Sequence, residues 1–247
     1  MEAIDIAGCS YAGARKRNED DWRGGGAGAR AWAVLADGAG GHRDGREAAR
    51  CVVEQVQAAL AAEGAVFVPD TLSWAVSAAH AALCEAQPGA RGVERMHATV
   101  VALWLDLEGA RALWSHVGDS RLYRVRRGDA ALLTRDDSVV QQLLDAGLLT
   151  ERQALSHPHR NQLLAALGMP EAVQPHTLAE PEAVETGDVF LLCSDGWWGA
   201  LELRDIAAAL ESAAGVQAWL AAMCARIEAR AVTAQDNFSA VGVAFRR

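Results

Sequence analysis

The sequence predicts an α+β protein in which helices cover β-sheets, and three observations support this class. Short apolar runs that end in turn residues, such as 31–36 and 189–193, are typical of buried strands. Alanine-rich segments with apolar residues at helical spacing, such as 46–62, are typical of helices. The two kinds of segment come in groups and do not alternate strictly, which favours α+β over a parallel α/β fold.

The individual elements follow from the same patterns and from the turn residues between them. Four runs between 98 and 134 are separated by glycine-containing or polar turns, which predicts a β-meander. The glycine-rich stretch 24–28 predicts a hairpin or loop between two strands. Asp70 or Thr71 is the expected cap of the second helix. The predicted strands are 3–11, 31–36, 98–107, 110–117, 120–126, 130–134, 189–193 and 238–245, and the predicted helices are 46–62, 71–86, 137–146, 150–155, 204–210 and 216–230.

Composition narrows the class of protein. At 247 residues the chain fits one large domain or two small ones, and 51% hydrophobic with 22% charged residues supports a sizeable core. The net charge of −9 argues against a nucleic-acid binder and against attraction to anionic membranes. The N-terminal residues do not resemble a signal peptide, and the longest apolar runs are too short to span a bilayer. We therefore expect a single stand-alone domain over 1–247, monomeric and cytoplasmic.

The cysteines are scattered and odd in number, and no two form a CxxC pair. The spacing therefore indicates neither a zinc site nor a disulfide framework. Reduced and mostly buried thiols, as in other cytoplasmic proteins, are the expectation. The five positions are Cys9, Cys51, Cys84, Cys193 and Cys224.

Acidic residues recur beside apolar strands at five places far apart in the sequence. A buried carboxylate must be paired, hydrogen-bonded or metal-bound. Carboxylates at several strand ends could converge on one edge of a sheet, where their mutual repulsion would demand a polyvalent cation. Oxygen ligands without a Cys or His pair suit Mg²⁺ or Mn²⁺ better than zinc. The five places are Glu19-Asp20 after the first strand, Asp37-Gly38 after 31–36, Asp119-Ser120 after LWSHVG, Asp195-Gly196 at the end of VFLLCS, and Asp236-Asn237 before the last strand.

Any one Asp-Gly pair is by itself an ordinary turn, but the order and content of the motifs are far more specific. The segments RKRNEDDW, VLADGAGGHRDG, HATVVAL, SHVGDSRLYRVRRG, LLTRDDS, LLAALG, VFLLCSDGWWGAL and AQDNFSAVGV follow one another along the chain. Together they resemble the bacterial branch of the PPM family, the metal-dependent protein phosphatases also called type 2C. The resemblance extends from about residue 4 to residue 245.

The resemblance implies a four-layer αββα sandwich, in which two antiparallel sheets pack face to face between helices. It implies hydrolysis of phosphoserine and phosphothreonine in proteins by a hydroxide that bridges two divalent ions, Mn²⁺ or Mg²⁺. A third, weaker ion is also seen in this family. The implied partners are phosphorylated proteins and, with them, a cognate serine/threonine kinase pathway.

The resemblance also assigns roles to matching residues. Asp37 corresponds to the carboxylate that bridges two metals, with the Gly38 carbonyl completing one ligand shell. Arg15 occupies the place of the arginine that grips the substrate phosphate, and a planar guanidinium suits bidentate binding of phosphate oxygens. The other implied ligands are Asp195 and Asp236 at the first metal, Glu19 and Asp20 at the second, directly or through water, and Asp119 at the third.

The chain also departs from the family pattern. Ala39 stands where the family more often has Met or His, so no histidine follows the Asp-Gly pair. His42, three positions on, is either a loop-anchoring residue at a helix start, which we favour, or a group near the reaction. Segment 136–170 corresponds to the family's variable flap. It is either a mobile loop that recognises protein substrates or an ordinary solvated connection.

Two other functions remain open at this point. The chain could be a catalytically weak phosphatase-fold module that binds or regulates, or a metal hydrolase of a small phosphate ester. The presence of the principal acidic residues argues against the first alternative. These residues are Glu19, Asp37, Asp119, Asp195 and Asp236.

Overall fold

The computed structural model describes residues 4–39, 45–154, 157–230 and 234–246. Its strands form two sheets. One sheet has the order β1-β12-β11-β7-β8 and the other has the order β10-β6-β5-β3-β2, with β4 beside β3 and β9 beside β6. The strands are β1 Ile4–Tyr11, β2 Asp20–Ala27, β3 Arg30–Ala39, β4 His97–Ala98, β5 Val100–Asp106, β6 Arg111–Val117, β7 Arg121–Arg126, β8 Asp129–Leu132, β9 His176–Thr177, β10 Glu182–Ala183, β11 Val189–Cys193 and β12 Phe238–Phe245.

Helices lie outside the two sheets and produce a four-layer arrangement. Helices α1 and α2 pack on the seven-stranded sheet, and α5, α6 and α7 pack on the five-stranded sheet. The αββα fold class is therefore confirmed. The helices are α1 Gly45–Ala61, α2 Pro69–Glu85, α3 Val139–Asp145, α4 Glu151–Ala154, α5 Asp195–Trp198, α6 Leu203–Glu211 and α7 Val216–Ala229.

Strand β3 shows how one strand serves two layers. Its side chains alternate, so that Trp32 and Val34 pack toward α1 and α2 whereas Ala33 and Leu35 pack between the sheets. Because both faces of β3 are buried, its sequence is an uninterrupted apolar run. A polar residue is therefore expected in β3 only at an end of the strand, where the strand reaches the edge of the sandwich.

The predicted four-stranded meander is wrong, and the reason lies at Gly118. Strands β5 and β6 pair in the seven-stranded sheet, whereas β7 and β8 pair in the five-stranded sheet. The chain crosses between sheets at Gly118, whose φ of 98° is in the left-handed region that favours glycine. A Cβ there would also lie 2.6 Å from Cγ2 of Thr99. The residue after this glycine, Asp119, therefore sits where the two sheets meet.

Two smaller expectations are also corrected. Of the stretch 24–28, predicted as a hairpin or loop, Gly24–Gly26 are inside β2, and only Gly28 lies in the hairpin turn between β2 and β3. Glycine suits this strand because a Cβ at Gly24 would come within 2.8 Å of Ile6 Cγ2 in the opposite sheet. Glu19-Asp20 follows β1 after a loop, as expected, and Asp20 opens β2. Helix α2 begins at Pro69 after Val68, since proline at the first helical position needs no N–H partner. None of the helices in the described part of the chain has the length and apolarity that a bilayer crossing requires.

Candidate active site

Five aspartates meet at one end of the sandwich. Strands β3 and β6 run in the same direction because each is antiparallel to β5, so their C-terminal ends share one edge. In the other sheet β11 ends and β12 begins at a common edge, because these two strands are antiparallel. Each aspartate lies at or next to one of these strand ends or at the start of β2. We call the set the acidic cluster: Asp20, Asp37, Asp119, Asp195 and Asp236.

Asp20 and Asp37 are the contribution of the β2–β3 pair. They face each other in register, so the two carboxylates stand on neighbouring strands. Asp20 is only 6% exposed, and one of its oxygens accepts a 2.8 Å hydrogen bond from the Ser194 hydroxyl of the other sheet. Its second oxygen, Oδ1, is buried without a hydrogen-bond partner among the described residues. An orphaned carboxylate oxygen of this kind is costly and is a natural position for a cation.

Hydroxyl groups fix the backbone around Asp37 and Asp119. The Asp37 amide donates to Oγ1 of Thr99 at 3.1 Å, and that oxygen lies 2.7 Å from the Ser120 hydroxyl. The indole N–H of Trp198 donates to the Asp119 carbonyl at 2.8 Å. These bonds hold the end of β3 and the crossover after β6 in one fixed arrangement.

Arg15 lies beside the carboxylates of the five-stranded sheet. Its guanidinium donates to Oδ2 of Asp236 at 2.6 Å, and its side chain is 60% exposed. This ion pair raises the pKa of Arg15, to which Asp195 and Glu19 also contribute. The positively charged Arg15 guanidinium thus lies at the solvent-exposed edge of the acidic cluster.

Glu19 and Gly38 lie together beside the start of α1. A Cβ at Gly38 would be 1.9 Å from the Gly45 carbonyl oxygen, so the backbones approach as closely as glycine allows. A Cβ at Gly45 would be 2.7 Å from the Gly38 carbonyl oxygen and 2.9 Å from Cδ of Glu19. The Glu19 carboxylate and the Gly38 carbonyl therefore both lie next to Gly45.

Asn237 connects the two chain segments that carry the site. Its side-chain oxygen accepts from the Glu19 amide at 2.9 Å, and its amide nitrogen donates to the carbonyls of Ala12 and Arg17 at 2.8 and 2.9 Å. All three hydrogen bonds connect the Asn237 side chain to one loop, residues 12–19. The residue beside Asp236 thereby fixes the loop that presents Arg15.

Burial and mutual repulsion raise the pKa values of Asp20, Asp37, Asp119 and Asp195. Desolvation, followed by the charges of the other four members, raises the pKa of Asp37 well above its ordinary value. Burial is also the main cause for Asp20, whose pKa is about 6, for Asp195 at about 7, and for Asp119 at about 8. These four carboxylates give up their protons reluctantly because they are poorly solvated and, secondly, because their neighbours are acids. A concentrated, under-compensated negative charge of this kind favours binding of multivalent cations.

The donors fit hard divalent ions, since every group in the acidic cluster offers oxygen. In the described ranges, no three acidic, histidine or cysteine side chains stand close enough to hold an ion as they are. A bound cation would offset the mutual repulsion of these carboxylates. Oδ1 of Asp20 could contact a cation without losing a hydrogen bond.

A groove of about 480 Å³ extends from the acidic cluster along α3. At its centre the Arg121 guanidinium lies 3.6 Å from the ring centroid of Trp198 and forms two hydrogen bonds, of 2.9 and 2.7 Å, with the Asp136 carboxylate. Trp197 packs into the core, whereas Trp198 lines the groove. The groove gives a substrate larger than a phosphate group a surface next to Arg15.

Comparison with known proteins shows which family has this fold and this order of motifs. The family model described as protein phosphatase 2C matches residues 7–238, nearly the whole chain. The chain belongs to the protein phosphatase 2C family. Over 182 residues it is 37% identical to the serine/threonine protein phosphatase PstP of Mycobacterium tuberculosis, an alignment that covers 74% of this chain and 34% of that protein. The chain therefore spans about a third of the length of this phosphatase 2C relative.

Solved structures of phosphatase 2C proteins share the fold over almost the full length. The serine/threonine phosphatase of S. agalactiae superimposes with a TM-score of 0.88 at 28% identity, covering 98% of this chain and 100% of that one. The catalytic domain of PstP in complex with two manganese ions gives a TM-score of 0.80 at 30% identity, covering 99% of both chains. Binding of two divalent ions by this fold is thus seen in a relative.

Sequence reasoning had named all five members of the acidic cluster, together with Glu19, Gly38 and Arg15, and the structure places them at one end of the sandwich. It had not named the groups that hold them: Thr99, Ser194, Asn237 and Gly45. Asn237 and Ser194 adjoin predicted ligands in sequence, and that adjacency was the available signal. His42 lies outside the described residues.

Proposed function

We propose that this phosphatase 2C chain is an enzyme that hydrolyses phosphoserine and phosphothreonine in proteins, with two divalent ions, Mn²⁺ or Mg²⁺, as cofactors. The observation that carries the proposal is the convergence of the acidic cluster from both sheets, beside one exposed guanidinium. Neither the catalytically weak module nor the small-ester hydrolase gains support from any particular contact. The substrates of the proposed enzyme would be proteins phosphorylated by a serine/threonine kinase.

In this proposal the cluster divides into ligands by position. Asp37 is central, since the charges of all four other aspartates act on it, and it would hold both ions, with the Gly38 carbonyl as a further ligand. Bound ions would lower the pKa of a coordinated water and stabilise the charge that develops during in-line displacement at phosphorus. The remaining assignments are Asp195 and Asp236 to the first ion, Glu19 and Asp20 to the second, and Asp119 to a third, weaker one.

Arg15 is proposed to bind the phosphate of the substrate. Its side chain is exposed and its present partner is the Asp236 carboxylate, at 2.6 Å. When Asp236 binds an ion, its negative charge is shared, and the Arg15 guanidinium becomes available to two phosphate oxygens. Arg15 thus orients the phosphate at the rim, and Asn237 keeps its loop in place.

The test compares Asp37→Asn with Asp21→Asn, a matched control on the same strand pair. Asp21 adjoins Asp20 but is paired with Arg23 at 2.8 Å, outside the acidic cluster. Loss of groups that only support a metal ligand commonly costs 10–100-fold, so loss of a bridging ligand should cost at least about 100-fold. Asp37→Asn should therefore abolish most Mn²⁺-dependent hydrolysis of p-nitrophenyl phosphate and of a phosphothreonine peptide, with the circular dichroism spectrum unchanged.

Three outcomes would contradict the proposal in different ways. Wild-type protein without activity in Mn²⁺, Mg²⁺ or EDTA would favour the non-enzymatic module. Activity on small esters with none on the phosphothreonine peptide would favour the small-ester hydrolase. Near-normal activity of Asp37→Asn would refute the bridging role of Asp37 alone.

A further inference from the structure

A pair of cysteines lies outside the active site and has no role in the proposed reaction. The sulfur of Cys9 on β1 is 3.6 Å from the sulfur of Cys224 on α7. Among the described residues, this is the only pair of cysteines whose sulfurs come within 4 Å. The two residues are 215 positions apart, so only the tertiary fold brings them together.

The position of the pair gives small molecules access to it. Strand β1 is an edge strand of its sheet, with β12 on one side only. Cys9 is partly exposed and Cys224 is buried beneath it. Tyr11, two residues further along the same edge, is 42% exposed and stacks on Phe238 with ring centroids 5.1 Å apart. The sulfurs therefore lie at the rim of the interface between α7 and the sheet.

We propose that Cys9 and Cys224 are a redox-modification site that forms a reversible disulfide with a two-electron oxidant such as hydrogen peroxide. The two sulfurs need to approach by about 1.5 Å to reach the bond length of about 2.05 Å. Movement of this size is available to side chains on an edge strand and a surface helix. This proposal is independent of the phosphatase activity.

The two thiols differ in exposure. Cys9 is partly exposed and Cys224 is buried, so an oxidant reaches the pair from the side of Cys9. The 3.6 Å contact then places the second sulfur where it can complete the disulfide.

The reaction proceeds in two steps. One of the two sulfurs attacks one peroxide oxygen, an S–O bond forms, the O–O bond breaks, and the departing hydroxide takes up the proton of that thiol as water. The other sulfur then attacks the resulting sulfenic acid, an S–S bond forms, the S–O bond breaks, and hydroxide leaves with the proton of the second thiol as a second water. Two thiols are oxidised to one disulfide, and one peroxide is reduced to two waters.

The disulfide would tie an early strand to a late helix. A cross-link restricts the unfolded chain more as the loop it closes becomes longer, and this loop contains more than 200 residues. The midpoint of thermal unfolding is expected to rise by roughly 5–10 °C on oxidation. Dithiothreitol should restore the original midpoint.

The experiment treats the native chain with equimolar hydrogen peroxide, quenches it with acid, and counts thiols after denaturation. The wild-type count should fall from five to three, since the chain has five cysteines. Non-reducing tryptic digestion should then join peptide 1–15, which contains Cys9, to peptide 205–226, which contains Cys224. This peptide map needs no variant, so it decides the question even if a substitution disturbs folding.

Variants provide the matched control. Cys51→Ser removes a cysteine on α1 and should still lose two thiols, from four to two. Cys9→Ser should form no disulfide within the chain under the same treatment, should lose at most one thiol, and should show no rise in midpoint. A wild-type count that stays at five, a link between other cysteines, or a link only between two copies of the chain would overturn the proposal.

Discussion

The two ends of β11 hold aspartates with opposite environments. Asp188, just before the strand, is fully buried and forms two hydrogen bonds, of 2.7 and 2.6 Å, with the Arg126 guanidinium, and it accepts a third from the Glu185 amide at 2.8 Å. Asp195, just after the strand, is half-buried and lies among other acids. Its pKa is raised to about 7 by burial and by Asp236, which outweigh the Gly196 amide and Arg15.

The difference between these two residues teaches how to tell a structural aspartate from a functional one. Both follow an apolar or turn segment and both adjoin β11, so local sequence does not separate them. At Asp188 the charge is neutralised within the protein, and the residue stabilises the fold. At Asp195 the charge is not neutralised within the protein. The resulting repulsion lowers stability and leaves a site that binds cations.

The largest effect on stability is expected for a substitution of Asp188, whose charge is neutralised by Arg126. Asp188→Asn removes a charge that Arg126 faces, and breaking a buried pair costs about 3–5 kcal/mol. Because the Arg126 side chain is 25% exposed and can regain some water, we expect the lower figure, about 3 kcal/mol. Urea unfolding measures this. An unchanged midpoint would show that the pair contributes no net stability.

Asp195→Asn should have the opposite effects, namely lower phosphatase activity and higher stability of the metal-free protein. Mn²⁺-dependent phosphatase activity is expected to fall at least about 100-fold, by the same argument as for Asp37. The metal-free variant should be more stable than the metal-free wild type at pH 8, because a source of repulsion near Asp236 is gone. Urea unfolding in EDTA provides the comparison, and a variant less stable than wild type would indicate that Asp195 is structural, like Asp188.

The pH dependence of stability should expose the acidic cluster as a whole. Asp195 and Asp119 have folded-state pKa values of about 7 and about 8, above the ordinary 3.8, so between pH 6.5 and 8 the folded state retains protons that the unfolded state has released. The free energy of unfolding of the metal-free protein therefore falls as pH rises through this interval. Three histidines with lowered pKa values act in the opposite direction near pH 6.5, where about half of their unfolded-state imidazoles are still charged, and this contribution is nearly gone by about pH 7.5.

Urea midpoints in EDTA at pH 6.5 and pH 8 measure this decrease, and saturating Mn²⁺ should abolish it, because bound ions replace the protons. A midpoint that is constant or rises over this interval in EDTA would contradict the raised pKa values. The Asp37→Asn variant should show a smaller decrease than wild type, since one member of the acidic cluster no longer ionises.

The smallest effect is expected at an exposed ion pair near Asp188. Arg127 pairs with Glu185 at 2.5 Å, but its side chain is 79% exposed. Surface pairs of this kind contribute about 0–1 kcal/mol. Arg127→Gln should change the free energy of unfolding by less than about 0.5 kcal/mol and leave phosphatase activity intact. A loss comparable to that of Asp188→Asn would mean that the whole network around Asp188 acts as one unit.

The core strands and helices were predictable because burial imposes a pattern on the sequence. Strands β3, β11 and β12 are buried on both faces, so they are uninterrupted apolar runs, and their positions were predicted to within a few residues. The partition of strands between sheets was not predictable in the same way. Hairpin turns and the crossover at Gly118 both contain glycine, and only long-range packing separates them.

The candidate site was predictable for its charged members and not for the groups that position them. Aspartates at strand ends stand out because a carboxylate near the core demands a reason. Thr99 and Ser194 do not stand out, since hydroxyl residues are common in buried strands. Gly45 is required by its approach to Gly38, a contact between segments that no local pattern reveals. The flap assignment for 136–170 stays a prediction.

The ion pair between Arg15 and Asp236 joins residues 221 positions apart in the chain. During synthesis on a ribosome, the loop that carries Arg15 emerges long before the strand that Asp236 precedes, and β12 then has to insert between β1 and β11. Pairing over such separations makes folding slow. A nascent chain would therefore remain without activity until its last strand is in place, and any incomplete translation product lacking that strand would be inert.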